Sequence, residues 1–150
     1  MNRLVRAGLA TAVVDGAFSS VLAAFFYGST ATRLWQGVAS TLMGPRALQG
    51  GTHTATIGVL MHLIVAFTWS AIFVFGLMRL GVVQRVLASP LGVAKVAAVY
   101  GPIIWLVMSL VVIPTLTHRP PTITYRWWVQ FFGHIVFVAL PMIWAATRDD

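Results

Sequence analysis

Four long apolar segments constrain this chain more than any other feature. They run from about Leu4 to Tyr27, Thr52 to Leu77, Leu91 to Ile113 and Trp127 to Ala146. A bilayer core of about 30 Å is crossed by about 20 helical residues, so each segment is long enough to span it. The chain is 59% hydrophobic and 9% charged, whereas soluble domains are about 25% charged. The sequence therefore predicts an all-α integral membrane four-helix bundle, with residues 1–150 forming a single transmembrane domain.

The start of the first segment and the end of the third are marked by particular residues. Arg3 and Arg6 precede the first apolar segment, as in a signal peptide. That segment is longer than the roughly 7–15 residues of a signal-peptide core, and it contains an aspartate, so we expect an uncleaved span. The third segment should end at about Ile113, because Pro114 and the prolines that follow it cannot continue a helix.

The connector between the first two segments, GSTATRLWQGVASTLMGPRALQGG, is too long to be a simple turn. Apolar residues recur in it at helical spacing, and Gly44 and Pro45 supply a stop signal. We therefore expect an amphipathic interfacial helix at about residues 32–43, with a mobile loop as the alternative. Trp35 would then contact lipid at the level of the headgroups.

The net charge of +7 does not indicate a nucleic-acid partner, because the basic residues are scattered singly among apolar runs. The distribution of the basic residues near the ends of the segments instead indicates how the spans are oriented in the membrane. One side of the membrane would hold Arg3, Arg6, Arg79, Arg85, Lys95 and Arg148, and the other would hold Arg33, Arg46, Arg119 and Arg126. The excess predicts that both termini are cytoplasmic.

Aromatic and basic residues cluster where the fourth segment begins. Trp127 and Trp128 follow Arg126, and Arg119 lies in the preceding loop. Tryptophan is enriched at membrane interfaces, so an interfacial belt is the simplest interpretation. A binding site for a lipid headgroup, formed with the two arginines, is the alternative.

Ionisable residues inside the apolar segments are the main functional candidates. Asp15 is the only acidic residue before the C-terminal pair, and His62 and His134 lie in the second and fourth segments. Counted at 1.5 Å per residue from the predicted segment ends, the three lie about 18, 15 and 11 Å deep. Such groups normally face the interior of a bundle, so we expect an intramembrane polar cluster. Its other members would be Ser19, Ser109 and Gln130, which share these helices.

Three roles are compatible with this cluster. The first is non-enzymatic, in which interhelical hydrogen bonds hold a partner subunit or homo-oligomer together, or the polar interior binds a lipid or small ligand. The second is a proton-linked small transporter or channel component that uses Asp15 and His62. The third is an electron-transfer protein with a b-type haem held by His62 and His134.

An enzyme is not expected, since the recognised hydrolase, zinc-protease and phosphate-loop motifs are missing from the sequence. The sequence has no cysteine, which excludes thiolate metal sites. We therefore predict no metal and no obligatory cofactor.

Several stretches resemble small four-span bacterial inner-membrane proteins of unknown function. The stretch LWQGVASTLMGPRALQGGTHTATIGVLMHLIVAFTWS carries Gly44-Pro45, Gly50-Gly51 and His62, which match that group's turn, glycine pair and mid-membrane histidine. YGPIIWLVMSLVVIP resembles its third span, with Ser109 where the group has asparagine. FFGHIVFVALP is similar to the end of the more distant YagU-like proteins. The resemblance implies a bacterial cytoplasmic membrane and brings no activity.

Overall fold

The computed structural model describes residues 2–148, and these form helices without any strand. The helices are α1 (Arg3–Phe26), α2 (Ala31–Met43), α3 (Gly51–Arg79), α4 (Gly81–Leu87), α5 (Gly92–Thr117) and α6 (Tyr125–Thr147). Helices α1, α3, α5 and α6 are long and apolar enough to cross a membrane. The chain is thus a multi-pass membrane protein, and the predicted all-α four-helix bundle is confirmed.

The four long helices alternate in direction. Helix α1 packs against both α3 and α6, and α5 packs against α6. Arg6 Nη2 donates to the Arg148 carbonyl at 2.7 Å, which joins the start of α1 to the end of α6. We call this the terminal end of the bundle and the opposite end the connecting end. Helices α3 and α5 meet through side chains near the terminal end, where the Tyr100 hydroxyl donates to the Trp69 carbonyl at 2.8 Å.

The dry core lies in the terminal half of the bundle. Its largest fully buried side chains are Phe73, Met142 and Ile143, each 0% exposed. Small residues fill the spaces between them and let the helices approach. They are Ala7, Ala97, Ala139 and Ala146.

Helix α2 packs against the bundle along α3. Thr30 caps its N-terminus, where the threonine hydroxyl accepts a hydrogen bond from the Arg33 amide at 3.1 Å. Gly44, whose φ is +75°, caps its C-terminus. Gln36 Nε2 donates to the Gly51 carbonyl at 3.0 Å. A side chain at position 58 would collide with the Trp35 backbone, so Gly58 permits the close approach of α2 to α3.

Two features differ from the sequence-based expectation. The short helix α4 lies between the second and third spans, where no element was expected. Helix α5 also continues past Pro114 to Thr117. A π-helical segment, Met108–Val112, directly precedes that proline region, and His134–Ala139 likewise precedes Pro141. A wider turn accommodates a proline ring and its missing N–H without ending the helix.

Candidate functional site: a polar wall in a central cavity

Glycines let the long helices approach closely at the level of the predicted polar cluster. A Cβ at Gly16 of α1 would lie 3.6 Å from His62 Nε2 of α3. A Cβ at Gly101 of α5 would come within 2.6 Å of the His134 carbonyl of α6, and one at Gly133 would strike the Phe18 ring of α1. These crossings bring polar residues of three helices to one level of the bundle.

Asp15 and His62 form the centre of this site. His62 Nδ1 lies 3.8 Å from Asp15 Oδ2, and His62 Nε2 lies 3.1 Å from the Ala12 carbonyl. A carbonyl only accepts hydrogen bonds, so Nε2 carries a hydrogen and donates it to Ala12. The 3.8 Å between Nδ1 and the carboxylate oxygen is too long for a direct hydrogen bond.

His134 completes the site from α6. It is 9% exposed, and its Nδ1 donates to the Gln130 carbonyl at 2.8 Å. The carboxylate of Asp15 is close enough to interact electrostatically with both imidazoles, and Ser19 lies beside it. The structure thus brings together Asp15, His62 and His134.

These side chains form one wall of a cavity of about 480 Å³ in the middle of the bundle. The polar lining residues are Thr11, Asp15, Ser19, His62, Gln130 and His134, with Thr41 on α2. The remaining lining is apolar or aromatic and comes mainly from α2, α3 and α5. Three lining residues, Ile64, Leu42 and Leu116, are 67%, 62% and 45% exposed. The lining therefore reaches the outer surface of the bundle on α3, α2 and α5.

Among residues 2–148, three buried polar atoms of the cavity lining have no hydrogen-bond partner. They are Thr11 Oγ1, Asp15 Oδ1 and Trp105 Nε1. Buried polar atoms are nearly always hydrogen-bonded in proteins. These three atoms therefore distinguish the cavity lining from the dry core.

Ser109 takes no part in this wall, although it was expected in the cluster. Its hydroxyl is buried and accepts a hydrogen bond from Trp127 Nε1 at 3.1 Å, which ties α5 to α6. This bond also places Trp127, which is 8% exposed, inside the bundle and away from lipid. Trp128 is 50% exposed and lies on the outer surface, as expected for a lipid contact.

The remaining predicted lipid contacts are divided between the interior and the surface. Trp35 was expected at headgroup level but lines the cavity, with its ring centroid 5.1 Å from that of His62. Arg119 and Arg126 are exposed. The Arg126 guanidinium lies 4.2 Å from the Tyr27 ring centroid, so it joins the ends of α1 and α6.

The sequence did not predict the cavity or the tryptophans that line it. Trp105 of α5 lies with its ring centroid 4.9 Å from that of His134, and Trp69 of α3 also lines the cavity. Trp105 stands midway between Gly101 and Ser109, at a spacing of four residues on one face of α5. That four-residue spacing is the signal that could have placed it in the site.

The histidine geometry bears on the haem alternative. Of the four ring nitrogens, two donate to backbone carbonyls and His62 Nδ1 faces Asp15. Axial ligation of a haem iron by both residues would require His62 to leave one of these contacts. Residues 2–148 contain no group of three His, Cys, Asp or Glu side chains arranged to hold a metal ion.

Comparison with protein-family models, with curated proteins and with solved structures finds no match to this chain.

Proposed function

We propose that this chain is a non-enzymatic membrane protein that binds a small lipophilic molecule in its central cavity. The observation that carries the proposal is the cavity itself, which has a volume of about 480 Å³. Ligand pockets are typically about 300–1,000 Å³, mostly apolar, with a few convergent polar groups. This cavity has that composition.

The exposed part of the lining supports entry from the membrane. Ile64 and Leu116 line the cavity and are exposed on α3 and α5, two helices apolar enough to cross a membrane, and Leu42 is an exposed lining residue of α2. A lipophilic molecule dissolved in the bilayer can enter there without crossing water. Its polar group would then meet Asp15 and the histidines on the opposite wall, and its apolar part would lie against α3 and α5.

The hydrogen bonds of the site support binding rather than catalysis. In the described part of the chain, neither His62 nor His134 hydrogen-bonds a serine or threonine hydroxyl, and each donates to a backbone carbonyl instead. Nucleophilic catalysis needs a nucleophile within hydrogen-bonding reach of its base. Neither histidine is therefore placed to act as the base for a hydroxyl nucleophile.

Photolabelling with the neutral probe adamantane diazirine tests the proposal. We expect labelling of purified protein in nanodiscs to concentrate on cavity-lining residues of α3 and α5, such as Met61 and Met108, located by mass spectrometry. Val112→Trp should fill the cavity and lower this labelling at least fivefold. Val111→Trp is the matched control, because Val111 is 57% exposed and does not line the cavity.

Labelling spread evenly over the lipid-facing surface, and equal in the two tryptophan variants, would contradict the proposal. The polar cluster would then be assigned to helix packing in a partner subunit or homo-oligomer. A Soret band in the absorption spectrum of protein expressed with ample haem would instead support the electron-transfer role.

Proton-linked transport is a second candidate, favoured by the Asp15 carboxylate beside two imidazoles on the cavity wall. Intramembrane ionisable groups often belong to proton pathways. In proteoliposomes, an imposed pH gradient should then drive proton-coupled flux, and Asp15→Asn should abolish it while helicity is retained. Flux that is equal in the variant would exclude this role for Asp15.

We also propose a bacterial cytoplasmic membrane as the location, with both termini on the cytoplasmic side. The resemblance to small inner-membrane proteins and the larger number of arginines on the terminal side support this orientation. A C-terminal fusion to green fluorescent protein should fluoresce in the bacterial cytoplasm. A C-terminal alkaline phosphatase fusion that is active instead would reverse the orientation.

A further inference from the structure

We propose that the preferred occupant of the cavity is a lipophilic organic cation, such as an alkylammonium, held by Asp15 between the rings of Trp35 and Trp105. This inference rests on the proposed function, since it names the chemical class of the ligand for the same cavity. Three independent features of the site support it: its charge, its aromatic rings and its unpaired acceptor atoms.

The charge of the cavity favours a cation. Asp15 is the only acidic residue in the lining, and the lining contains no lysine or arginine. The two histidines can be neutral, whereas arginine and lysine would hold a fixed positive charge. Arg33, the basic residue of α2, is exposed and donates instead to the Leu48 carbonyl at 2.8 Å. An ionised Asp15 would therefore make the cavity negative.

The aromatic rings provide a second interaction with a cation. Trp35 and Trp105 lie beside His62 and His134, with ring centroids 5.1 and 4.9 Å apart in the two pairs. They therefore flank the histidine pair next to the carboxylate. Tryptophan is the side chain whose ring face binds cations most strongly, and the interaction is stronger where water is excluded.

Polar atoms without a hydrogen-bond partner are the third feature that favours a cation. Asp15 Oδ1 has no hydrogen-bond partner, and the Thr11 hydroxyl, one helical turn away on α1, has none either. The Ser19 hydroxyl donates to the Asp15 carboxylate, and His62 Nδ1 lies 3.8 Å from Asp15 Oδ2, too far for a direct hydrogen bond, so Oδ1 remains open to a ligand. An ammonium group carries several N–H donors and no acceptor, so it suits a site of converging acceptors. A ligand hydroxyl or carbonyl on the same molecule could accept from Trp105 Nε1.

Protons compete with such a ligand. The titratable groups that face the site are Asp15 from α1, His62 from α3 and His134 from α6, and the lining residues of α2 and α5 include none. Protonation of any of the three makes the site less negative. Binding of a cation therefore weakens as these groups take up protons.

Three probes of nearly the same shape test the inference: 1-adamantylammonium, 1-adamantanol and 1-adamantanecarboxylate. Each competes with adamantane diazirine for the cavity of the native protein in nanodiscs at pH 8. We expect the ammonium to displace the label at a concentration at least tenfold lower than the alcohol, and the carboxylate to be the weakest. In Asp15→Asn, the ammonium and the alcohol should become equal within a factor of two.

Two tryptophan variants separate the ring contribution from general packing. Trp105→Phe keeps an aromatic ring but weakens cation binding, so the advantage of the ammonium over the alcohol should fall about threefold or more. Trp144→Phe is the matched control, because Trp144 is 50% exposed and lies outside the cavity lining. It should leave the advantage unchanged.

If Asp15→Asn does not fold, the cation inference is tested on the native protein, by measuring how the advantage of the ammonium over the alcohol changes with pH. Adamantylammonium remains charged between pH 8 and pH 5, so a fall in its advantage reports protonation of the protein. We expect a fall of at least fivefold. An ammonium that competes no better than the alcohol, or an advantage that is constant over this range, overturns the cation inference while cavity labelling still supports the proposed function. Failure of the neutral label to reach the cavity overturns both.

Discussion

The terminal and connecting halves of the bundle are built from the same four helices but differ in how the space between them is filled. In the terminal half, large apolar side chains such as Phe73 and Met142 are 0% exposed and leave the core dry. In the other half, helix α2 packs onto the side of α3, and a cavity of about 480 Å³ remains. Apolar packing thus fills the terminal half, and the cavity proposed to bind a ligand lies in the other half.

The difference follows from side-chain volume and from the number of helices in each half. Alanines and glycines bring the helices together throughout, and in the terminal half fully buried large side chains such as Phe73 and Met142 fill the space between them. In the connecting half, three helices contribute polar residues to a common wall, and the tryptophans stand at its sides. Tight crossings at Gly16 and Gly101 hold this wall in place without filling the cavity.

The largest expected effect compares the same truncation in the two halves. Met142→Ala removes a fully buried side chain from the dry core and should lower the free energy of unfolding by about 2–5 kcal/mol. Met61→Ala is the matched control. Met61 already borders the cavity and is half-buried, so its truncation should cost less than about 1 kcal/mol. Unfolding in dodecylsulfate-containing mixed micelles, followed by circular dichroism, measures both. Equal losses would mean that the halves are equally packed.

The second prediction concerns the contact that attaches α2 to α3. Gly58→Ala places a methyl group against the Trp35 backbone, which cannot move aside as a flexible side chain would. We expect the free energy of unfolding to fall by about 1–3 kcal/mol, as is typical of overpacking. Tryptophan fluorescence should shift as the Trp35 ring moves away from that of His62.

Gly37→Ala is the control within α2 itself. A Cβ at Gly37 meets open space, so the substitution should stabilise the helix by about 0.5–1 kcal/mol. If Gly58→Ala instead matched this gain, the close approach of α2 and α3 would not exist, and the cavity would lose the wall that α2 supplies.

The sequence was sufficient to predict the fold class and the number of membrane-spanning helices, because hydrophobic length alone identifies spans. It also placed Asp15, His62 and His134 at similar depths, since depth follows from the rise per residue. It did not predict that they share one wall. Periodicity assigns a residue to a face of its own helix, but the face of the neighbouring helix depends on crossing angles and on contacts such as Gly101 with the His134 backbone.

Trp35 and the cavity show why the rest could not be predicted. An amphipathic helix next to a membrane span suggests a surface position for its tryptophan, and only the fit of α2 against Gly58 places that ring inside the bundle. A cavity leaves no residue pattern, because it reflects volume that no side chain fills. Pro114 was misleading for a related reason: the π-helical segment before it lets α5 continue to Thr117.

The third prediction tests the hydrogen bond that ties α5 to α6 in the connecting half. Ser109→Ala removes the acceptor of the buried Trp127 Nε1–H. A buried donor left without a partner costs about 1–3 kcal/mol, so this small substitution should destabilise the bundle clearly. Ser109→Thr, which keeps the hydroxyl, should recover at least half of the loss. The cavity probe should still bind, since Ser109 does not line the cavity.

The smallest effect is expected for the equivalent bond in the terminal half. Tyr100→Phe removes the hydroxyl that donates to the Trp69 carbonyl, but this carbonyl still accepts a bond from the Ile72 amide within α3. No polar group is then left without a partner, so the loss should be about 0.5–1.5 kcal/mol, the net value of one hydrogen bond. The same micelle unfolding measurement applies. A loss larger than that of Ser109→Ala would show that the Tyr100 bond, rather than apolar packing, holds α3 against α5. In that case the terminal half would depend on polar contacts as much as the connecting half does.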